Sequence, residues 1–307
     1  MKRKLHILVD SVSYIQNEVY QHQLHRNLVK DYNCIYHEIG SLDRFLIESG
    51  DVVFSALKLR TLLRHIDRVA QTIGNTKIIV QDYDPWVSFE DASPYKGAYH
   101  AISSKINAIF FVPSFEWMKL IRLAGFRCET SKIGMLPEYC DKTAWENRSI
   151  QIEFRGSHYP SRDIAMEKIF NVGFPNCWQN GVISPYPRFL EHLSNIRIWA
   201  FSDAELISVD GNMISKNALW PKCIEVLARG CFLIRDWQPE AENYVHDIPT
   251  AFMFKDDLSS IGALQWIQNH PYDYLNDLIS HSINQIQNEN YYQVISDRLQ
   301  EWYDAHE

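Results

Sequence analysis

The stretch from 217 to 236, NALWPKCIEVLARGCFLIRD, contains the residue types and spacing best suited to bind an anion. Pro221 is typical of the first turn of a helix and Gly230 of its left-handed end, so a helix of about nine residues is predicted, followed by a strand. Lys222 and Glu225 are three residues apart, which predicts both on one exposed face near the positive end of that helix. A diphosphate there would meet backbone N–H groups and an ammonium, and the carboxylate one turn later would accept hydrogen bonds from a ribose diol.

A second candidate segment, FRGSHYPSR at 154–162, combines turn-forming residues with a cationic side chain. It ends a strand-like run, so Gly156 and Ser157 are predicted to form a tight turn at the carboxyl end of a parallel strand, with Arg162 opening the next helix. Because open α/β sheets bind ligands at such ends, this turn is a second candidate anion site.

Both segments also have ordinary interpretations. A Lys and a Glu three residues apart on a helix can be a surface ion pair worth roughly a few tenths of a kcal/mol, and a Gly-Ser turn can simply connect a strand to a helix. His158, next to the turn, either faces a ligand or caps the helix. Two anion-suited segments in one small domain favour a binding site.

The elements that must position these residues alternate between strands and helices, the pattern of parallel sheets. The predicted strands are LHILVDS, CIYHEIGS, DVVFSAL, KIIVQDY, AIFFVPS, KIGMLPE, IQIEFRGS, IRIWAFS, CFLIRD and AFMFKD. Apolar stripes predict helices over 59–73 and 115–123, one from about 162, and two terminal helices from 273 onward. The polar stretch 141–148 separates two α/β domains, 1–145 and 146–307, with the last helix free to pack back on the first domain.

The composition is that of a folded protein with an anionic surface. The chain has 307 residues, 46% of them hydrophobic, and 30 Lys and Arg against 38 Asp and Glu give a net charge of −8. This charge disfavours general nucleic-acid binding and allows a local basic pocket. The six cysteines follow no metal or disulfide pattern, and the apolar run in MKRKLHILVD is too short for a signal or a membrane span. We therefore expect reduced thiols and a cytoplasmic location, with peripheral membrane contact and oligomeric state left open.

The second half resembles the C-terminal, nucleotide-sugar-binding domain of GT-B glycosyltransferases, especially the CgeB-like group of family-one and family-four type enzymes. Those domains have a Gly-Ser turn and an Arg after the first strand, a Tyr-led helix before another strand, and the motif Arg-x-Phe-Glu-x-x-Ala-x-Gly. The counterparts here are Gly156, Ser157 and Arg162, then 186–193 before 196–200, then 222–225 and 228–230. Lys222 replaces the usual Arg, and Asn217 replaces a Glu, which leaves the stereochemical outcome open.

The resemblance implies an α/β protein of two Rossmann-like parallel-sheet domains facing across a cleft. It implies transfer of a sugar from a nucleotide diphosphate sugar to a saccharide or other hydroxyl acceptor, held mainly by the N-terminal domain. Lys222 and Arg162, beside the Gly156 turn, would stabilise the departing diphosphate; Glu225 would hold the ribose, and Gly230 completes the donor motif. No metal or other cofactor is expected, because helix ends and basic side chains take its place.

Acidic residues follow two strand-like runs of the N-terminal half. Asp10 and Ser11 end LHILVDS, and Asp82 and Asp84 follow KIIVQ. An Asp at a strand's carboxyl end is placed to act as general base toward an acceptor hydroxyl, and equally to cap the following turn. Asp84 is the preferred base, ahead of Asp10 and Asp82.

The segment 83–100 mixes aromatic and polar residues to a degree that predicts more than core packing. Such a mixture is typical of a platform for a sugar ring, and also of a packed loop or a partner contact. The expected acceptor-side residues are Ser11, Asp82, Trp86, His100 and His158.

Two other functions fit the same residues. Asn217, at the position of the expected Glu, keeps open a degenerate protein that binds a glycan or a protein partner without catalysis. A transferase acting on DNA bases, or a pyruvyl-type transferase, would keep the fold and change the acceptor. The net charge of −8 argues against DNA.

Overall fold

The structure of the protein is a computed structural model. It describes residues 2–12, 19–42, 45, 47–48, 51–130, 135–156, 163–164, 166–167, 178–179, 183, 185–201, 206–216, 221–255, 257–288, 296–297 and 299–301. In this part of the chain, every helix is too short or too polar to cross a bilayer. The chain forms two compact units, the first being Met1–Lys132, Ile207–Ile214 and Tyr291–Glu307 and the second Ile133–Leu206 and Ser215–Asn290.

The first unit is built on a parallel six-stranded sheet in the order β2-β1-β3-β4-β5-β6. Its strands are β1 (Lys4–Val9), β2 (Asn33–Glu38), β3 (Val52–Ser55), β4 (Lys77–Gln81), β5 (Asn107–Val112) and β6 (Cys128–Thr130). Its helices are α1 (Val19–Asp31), α2 (Leu59–Arg64), α3 (Ile66–Ile73), α4 (Ala98–Ser103) and α5 (Phe115–Leu123). The strand order reverses between β1 and β3, which makes that crevice a switch point where such sheets bind ligands.

The second unit repeats this plan with a parallel five-stranded sheet in the order β13-β12-β9-β7-β8. A separate hairpin, whose residues Ile207–Ile214 belong to the first unit, pairs β10 (Leu206–Val209) with β11 (Asn212–Ser215). The strands of the second unit are β7 (Ile150–Arg155), β8 (Trp178–Gln179), β9 (Ile196–Phe201), β12 (Phe232–Asp236) and β13 (Ala251–Phe254). Its helices are α6 (Tyr186–Leu193), α7 (Pro221–Ala228), α8 (Pro239–Val245), α9 (Asp257–Asn269) and α10 (Tyr272–Asn288). Here the order reverses between β7 and β9.

The predicted α/β class with parallel sheets is confirmed, and so are nine of the ten predicted strands. The helix over 59–73 is wrong in part, because the chain breaks at His65 (φ −110°, ψ 14°) and forms α2 and α3. Of the strand expected in KIGMLPE, residues 132–134 lie outside the described residues, and Met135 and Leu136 are buried outside any strand; β6 precedes this segment. The helix from about 162 and the last terminal helix lie largely outside the described residues, although 163–164, 166–167, 296–297 and 299–301 are helical.

The hairpin β10–β11 is an element that the sequence did not predict. Its turn residues Asp210 and Gly211 have φ values of 49° and 77°, the positive pair that a type I′ turn requires. The carboxylate of Asp91 anchors this turn: it accepts hydrogen bonds from Ser208 Oγ (2.5 Å), Asp210 N (3.1 Å) and Gly211 N (3.0 Å). Lys96 Nζ bridges Asp91 (2.6 Å) and Asp210 (2.9 Å). Lys96 and these donors hold the pKa of Asp91 well below its usual range.

Asp91→Ala is expected to loosen the hairpin without unfolding the protein, because the anchoring groups are largely exposed. Amide hydrogen exchange over 207–214 should rise. In the wild type the anchor is complete at neutral pH and weakens as the pH falls below about 3.9, the ordinary pKa of Asp, because the folded-state pKa is lowered. Asp67→Ala is the matched control, since Asp67 is an exposed acid with an ion pair to Lys105. Unchanged exchange over 207–214 in Asp91→Ala would show that the carboxylate is no anchor.

Candidate functional site

The switch point of the second unit brings together the two segments that the sequence singled out. Strand β7 ends at Arg155, and the half-buried Gly156 follows. From the first turn of α7, Lys222 Nζ donates a hydrogen bond to the carbonyl oxygen of Arg155 at 3.3 Å. The Lys222 ammonium therefore lies at the end of β7, at the carboxyl edge of the parallel sheet.

Lys222 is held in place by aromatic side chains. Its ammonium lies 6.0 Å from the ring centroid of Phe189 on α6 and 5.9 Å from that of Trp199 on β9. Both distances are at the outer limit of a cation–π contact. Lys222 is half-buried, and every other residue of α7 is buried. Its positive charge is therefore fixed at the sheet edge and still reachable by a ligand.

Glu225 does not lie on an exposed face, and that prediction is wrong. Its side chain is buried, with the residue 2% exposed, because α7 packs against α10 as well as β12. Tyr186 donates its hydroxyl proton to Glu225 Oε1 at 3.0 Å, while Oε2 is buried with no hydrogen-bond partner in the described part of the chain. Burial raises the pKa of Glu225 to about 7, although the Tyr186 hydrogen bond and the charge of Lys222 oppose the rise. An unmatched buried carboxylate oxygen calls for a donor, which a ligand hydroxyl would supply.

The C-terminal end of α7 is fixed by a buried arginine. Arg148, 2% exposed, donates from Nη2 to the carbonyl oxygens of Arg229 (2.9 Å) and Thr143 (2.8 Å). A cation at this end satisfies carbonyls that the helix leaves unpaired. Gly230 follows with φ +74°, and a Cβ there would lie 2.4 Å from Arg148 Nη2 and 2.9 Å from Ile279 Cγ2. Gly230 thus ends the helix and is packed against Arg148 and Ile279, which gives it a structural role; its expected donor-binding role stays a prediction.

Gly230→Ala should cost at least about 2 kcal/mol of folding free energy, since the left-handed conformation alone costs about 1–2 kcal/mol for a residue with a Cβ and the contact with Arg148 adds to it. Thermal denaturation measures the loss. Gly262→Ala on α9 is the control: its Cβ would meet nothing within 4 Å, so the change should be neutral or stabilising by up to about 1 kcal/mol. Equal melting temperatures for the two variants would contradict this packing.

Three expected donor- and acceptor-side residues, Ser157, His158 and Arg162, lie outside the described residues, as does Asn217. Their roles stay predictions.

Arg155 is a cation at this edge that sequence reasoning missed. Its Nε donates to Glu153 Oε1 at 2.5 Å, and the same oxygen lies 2.7 Å from His192 Nε2. Glu153 is 5% exposed and lies two residues before Arg155 on the same strand, so its carboxylate fixes the arginine side chain on one face of the sheet. The only available signal was its position directly before Gly156 in FRGS.

A cavity of about 240 Å³ opens at the carboxyl ends of β3 and β4 in the first unit. The residues lining it are Ala56, Leu57, Lys58, Leu59, Arg60, Gln81, Asp82, Tyr83, Asp84, Val87 and Tyr95. The structure thus places Asp82 and Asp84 together in one cavity. Asp10 and Ser11 lie half-buried at the end of β1 and do not line it.

Asp82 positions the loop that carries Asp84. It is 3% exposed; Tyr99 donates its hydroxyl proton to Asp82 Oδ2 at 2.7 Å, and the Asp84 backbone N–H donates to Oδ1 at 3.0 Å. Burial raises the pKa of Asp82 to about 7. Both oxygens are thus engaged, while the Asp84 side chain is exposed at the cavity. This arrangement favours Asp84 over Asp82 as a base.

The aromatic segment 83–100 is divided between cavity and core: Tyr83 and Tyr95 are half-buried and line the cavity, whereas Trp86 and Tyr99 are buried. Trp86 is 4% and Tyr99 1% exposed, and the Tyr99 ring stacks on Phe110 with centroids 4.0 Å apart. Trp86 therefore has no surface for an acceptor, and that prediction is wrong. His100 is exposed on α4 and does not line the cavity.

The described residues contain no cluster of three or more His, Cys, Asp or Glu side chains that could hold a metal ion. The expectation that the chemistry needs no metal stays a prediction.

Comparison with solved structures identifies the fold. Sucrose-phosphate synthase from Thermosynechococcus elongatus matches with a TM-score of 0.61, 11% identity and coverage of 99% of both chains. The trehalose-6-phosphate structure from E. coli bound with UDP-2-fluoro glucose matches with a TM-score of 0.62 and 9% identity, over 96% of this chain and 98% of that one. Anabaena HepE in complex with UDP and glucose matches with a TM-score of 0.58 and 8% identity, over 99% of this chain and 100% of the other.

These structural neighbours are GT-B glycosyltransferases, and the α/β chain has their fold. At 8% to 11% identity, the likeness extends to the fold alone. No family model matches the chain, and a search of curated proteins finds no match.

Proposed function

We propose that the protein is a glycosyltransferase that moves a sugar from a nucleotide diphosphate sugar to a saccharide or other hydroxyl acceptor, without a divalent metal, and that it is related to the CgeB-like group. The observation that carries the proposal is the 3.3 Å contact of Lys222 Nζ with the Arg155 carbonyl. It joins a helix N-terminus, a turn after a strand and a fixed ammonium at a switch point, the combination that holds phosphates in open α/β sheets.

The second unit would bind the donor. The diphosphate would lie between Lys222 and the backbone at Gly156, with Arg155 and Arg162 as further cations. The ribose would donate a hydrogen bond to Glu225 Oε2, the buried oxygen with no partner in the described chain. These assignments extend from the fold neighbours, one of which is in complex with UDP and glucose.

The first unit would hold the acceptor. In the transfer step the bond between the anomeric carbon and the β-phosphate oxygen breaks, and the acceptor oxygen bonds to that carbon. The acceptor proton passes to a carboxylate, which we assign to Asp84, with Asp10 as the other candidate. The leaving diphosphate carries the bonding electron pair, and the cations around it supply stabilisation that grows as the bond breaks.

Isothermal titration of the full chain with UDP, GDP and dTDP tests the proposal, followed by an assay for nucleotide release from the matching nucleotide sugar. Binding of at least one nucleotide below millimolar Kd, together with donor hydrolysis, is the expected result. Binding without hydrolysis or transfer to any sugar would indicate the degenerate, non-catalytic alternative. No binding by any of the three would overturn the donor site.

A further inference from the structure

Gln81 is a buried polar residue of the first unit that neither the sequence motifs nor the proposed reaction employs. It ends β4, is 4% exposed and lines the 240 Å³ cavity beside Asp82 and Asp84. Its Nε2 donates to the Tyr83 hydroxyl, and Tyr83 lines the same cavity. Oε1 is buried and has no hydrogen-bond partner among the described residues.

Gln81 has one buried amide atom without a hydrogen-bond partner whichever way the amide is oriented. Exchanging the amide oxygen and nitrogen would let the Tyr83 hydroxyl donate to Oε1, and Nε2 would then occupy the unmatched position. Either way one buried amide atom of Gln81 lacks a partner. Native proteins leave few such groups unsatisfied, and those that remain commonly meet a ligand or an ordered water.

The chemistry of the cavity indicates which ligand would satisfy Gln81. The half-buried rings of Tyr83 and Tyr95 offer apolar faces, while Asp84 contributes an exposed carboxylate. A ring with an apolar C–H face and hydroxyl groups at its edge fits both kinds of surface, because the hydroxyls donate to oxygen acceptors and accept from amides. At about 240 Å³, the cavity is large enough to take one monosaccharide ring.

We propose that Gln81 recognises one ring hydroxyl of a monosaccharide-sized acceptor bound in this cavity, and so determines which acceptor is used. This deepens and rests on the proposed glycosyl transfer. A site built around a hydroxyl rejects the analogue that lacks it, because the buried amide is then left unpaired. Gln81 acts in recognition, whereas proton removal is assigned to Asp84.

The test begins with ligand-observed NMR on the full chain and five probes: D-glucose, D-galactose, D-mannose, N-acetyl-D-glucosamine and glucose 6-phosphate, the last included because Lys58 and Arg60 also line the cavity. The probe that binds best is then compared with its monodeoxy analogues. We expect one analogue to bind at least about tenfold more weakly than its parent. In Gln81→Met, which keeps the length of the side chain, parent and analogue should bind equally.

Gln71→Met, at an exposed glutamine on α3, is the matched control and should keep the wild-type ratio. Circular dichroism checks that each variant folds; if Gln81→Met does not, Gln81→Leu, which also removes both polar amide atoms, replaces it, with the same loss of discrimination expected. Binding of none of the five probes, or a deoxy penalty that persists in the Gln81 variant, overturns the inference. A UDP titration on the same samples separates the two proposals: UDP binding without sugar binding refutes the acceptor cavity alone, and sugar binding without nucleotide binding refutes the donor site alone.

Discussion

Lys222→Ala is expected to lower kcat/KM for donor hydrolysis by about 10²- to 10³-fold, the range measured when one preorganised donor to a developing negative charge is removed. In the proposed reaction, charge would accumulate on the β-phosphate as its bond to the sugar breaks, and the Lys222 ammonium, held by the Arg155 carbonyl beside the rings of Phe189 and Trp199, would already be in place to stabilise it. Because Lys222 is half-buried at the end of its helix, the melting temperature should change little.

Two variants control this result. Lys222→Arg keeps the charge and should retain part of the activity, with some loss because the planar guanidinium has a different shape. Lys142→Ala removes an exposed lysine of the same unit that bonds Asn284, and activity should stay at the wild-type level. Wild-type activity in Lys222→Ala would contradict the phosphate role, and a melting temperature as low as that of Gly230→Ala would show that Lys222 is structural.

Glu225→Gln is expected to remove a pH dependence of nucleotide binding that the wild type shows. With the pKa of Glu225 at about 7, the carboxylate is mostly protonated at pH 5.5 and mostly ionised at pH 8. A hydrogen bond to an ionised acceptor is roughly twice as strong as a neutral one, so the nucleotide should bind the wild type about tenfold more tightly at pH 8 than at pH 5.5. The sign follows from the raised pKa: binding strengthens as the pH rises through about 7.

Nucleotide binding also depends on pH through the ligand, because the terminal phosphate of the nucleotide titrates near pH 6. The Glu225→Gln variant shows this contribution alone, so it can be subtracted from the wild-type profile. Isothermal titration at several pH values gives both profiles. Gln keeps the acceptor for Tyr186, so the fold should hold. If nucleotide affinity changed with pH to the same extent in the wild type and in Glu225→Gln, Glu225 would not contact the ligand.

Local signals in the sequence predicted much of the fold. Runs of β-branched residues marked the strands, and Pro221 and Gly230 marked the helix that became α7. The burial of Glu225 could not be predicted, because it depends on α10, a helix about fifty residues further along the chain, packing over α7. The hairpin, by contrast, was missed although its signal is local: Asp210 and Gly211 lie between two short strand-like runs, a pattern typical of a type I′ hairpin.

The candidate site could likewise be predicted from the sequence only in part. Asp82 and Asp84 were predicted to follow a strand together, and the structure puts both in one cavity. The sequence could not show that Asp82 accepts hydrogen bonds from the Tyr99 hydroxyl and the Asp84 backbone N–H, because the first of these depends on how α4 packs against the sheet. Gln81 could not be singled out from the sequence, because a glutamine at the end of a strand is common. That one of its amide atoms lacks a hydrogen-bond partner depends on the residues packed around it.

A crystal structure of the protein soaked with UDP would report directly whether a pyrophosphate binds where the Gly156 turn meets α7. We predict the β-phosphate within hydrogen-bonding distance of Lys222 Nζ and a backbone N–H beside Gly156, with a ribose hydroxyl on Glu225 Oε2. Phosphates bound at any other place on the chain, with Lys222 still bonded to the Arg155 carbonyl and Glu225 Oε2 still unmatched, would contradict the donor site.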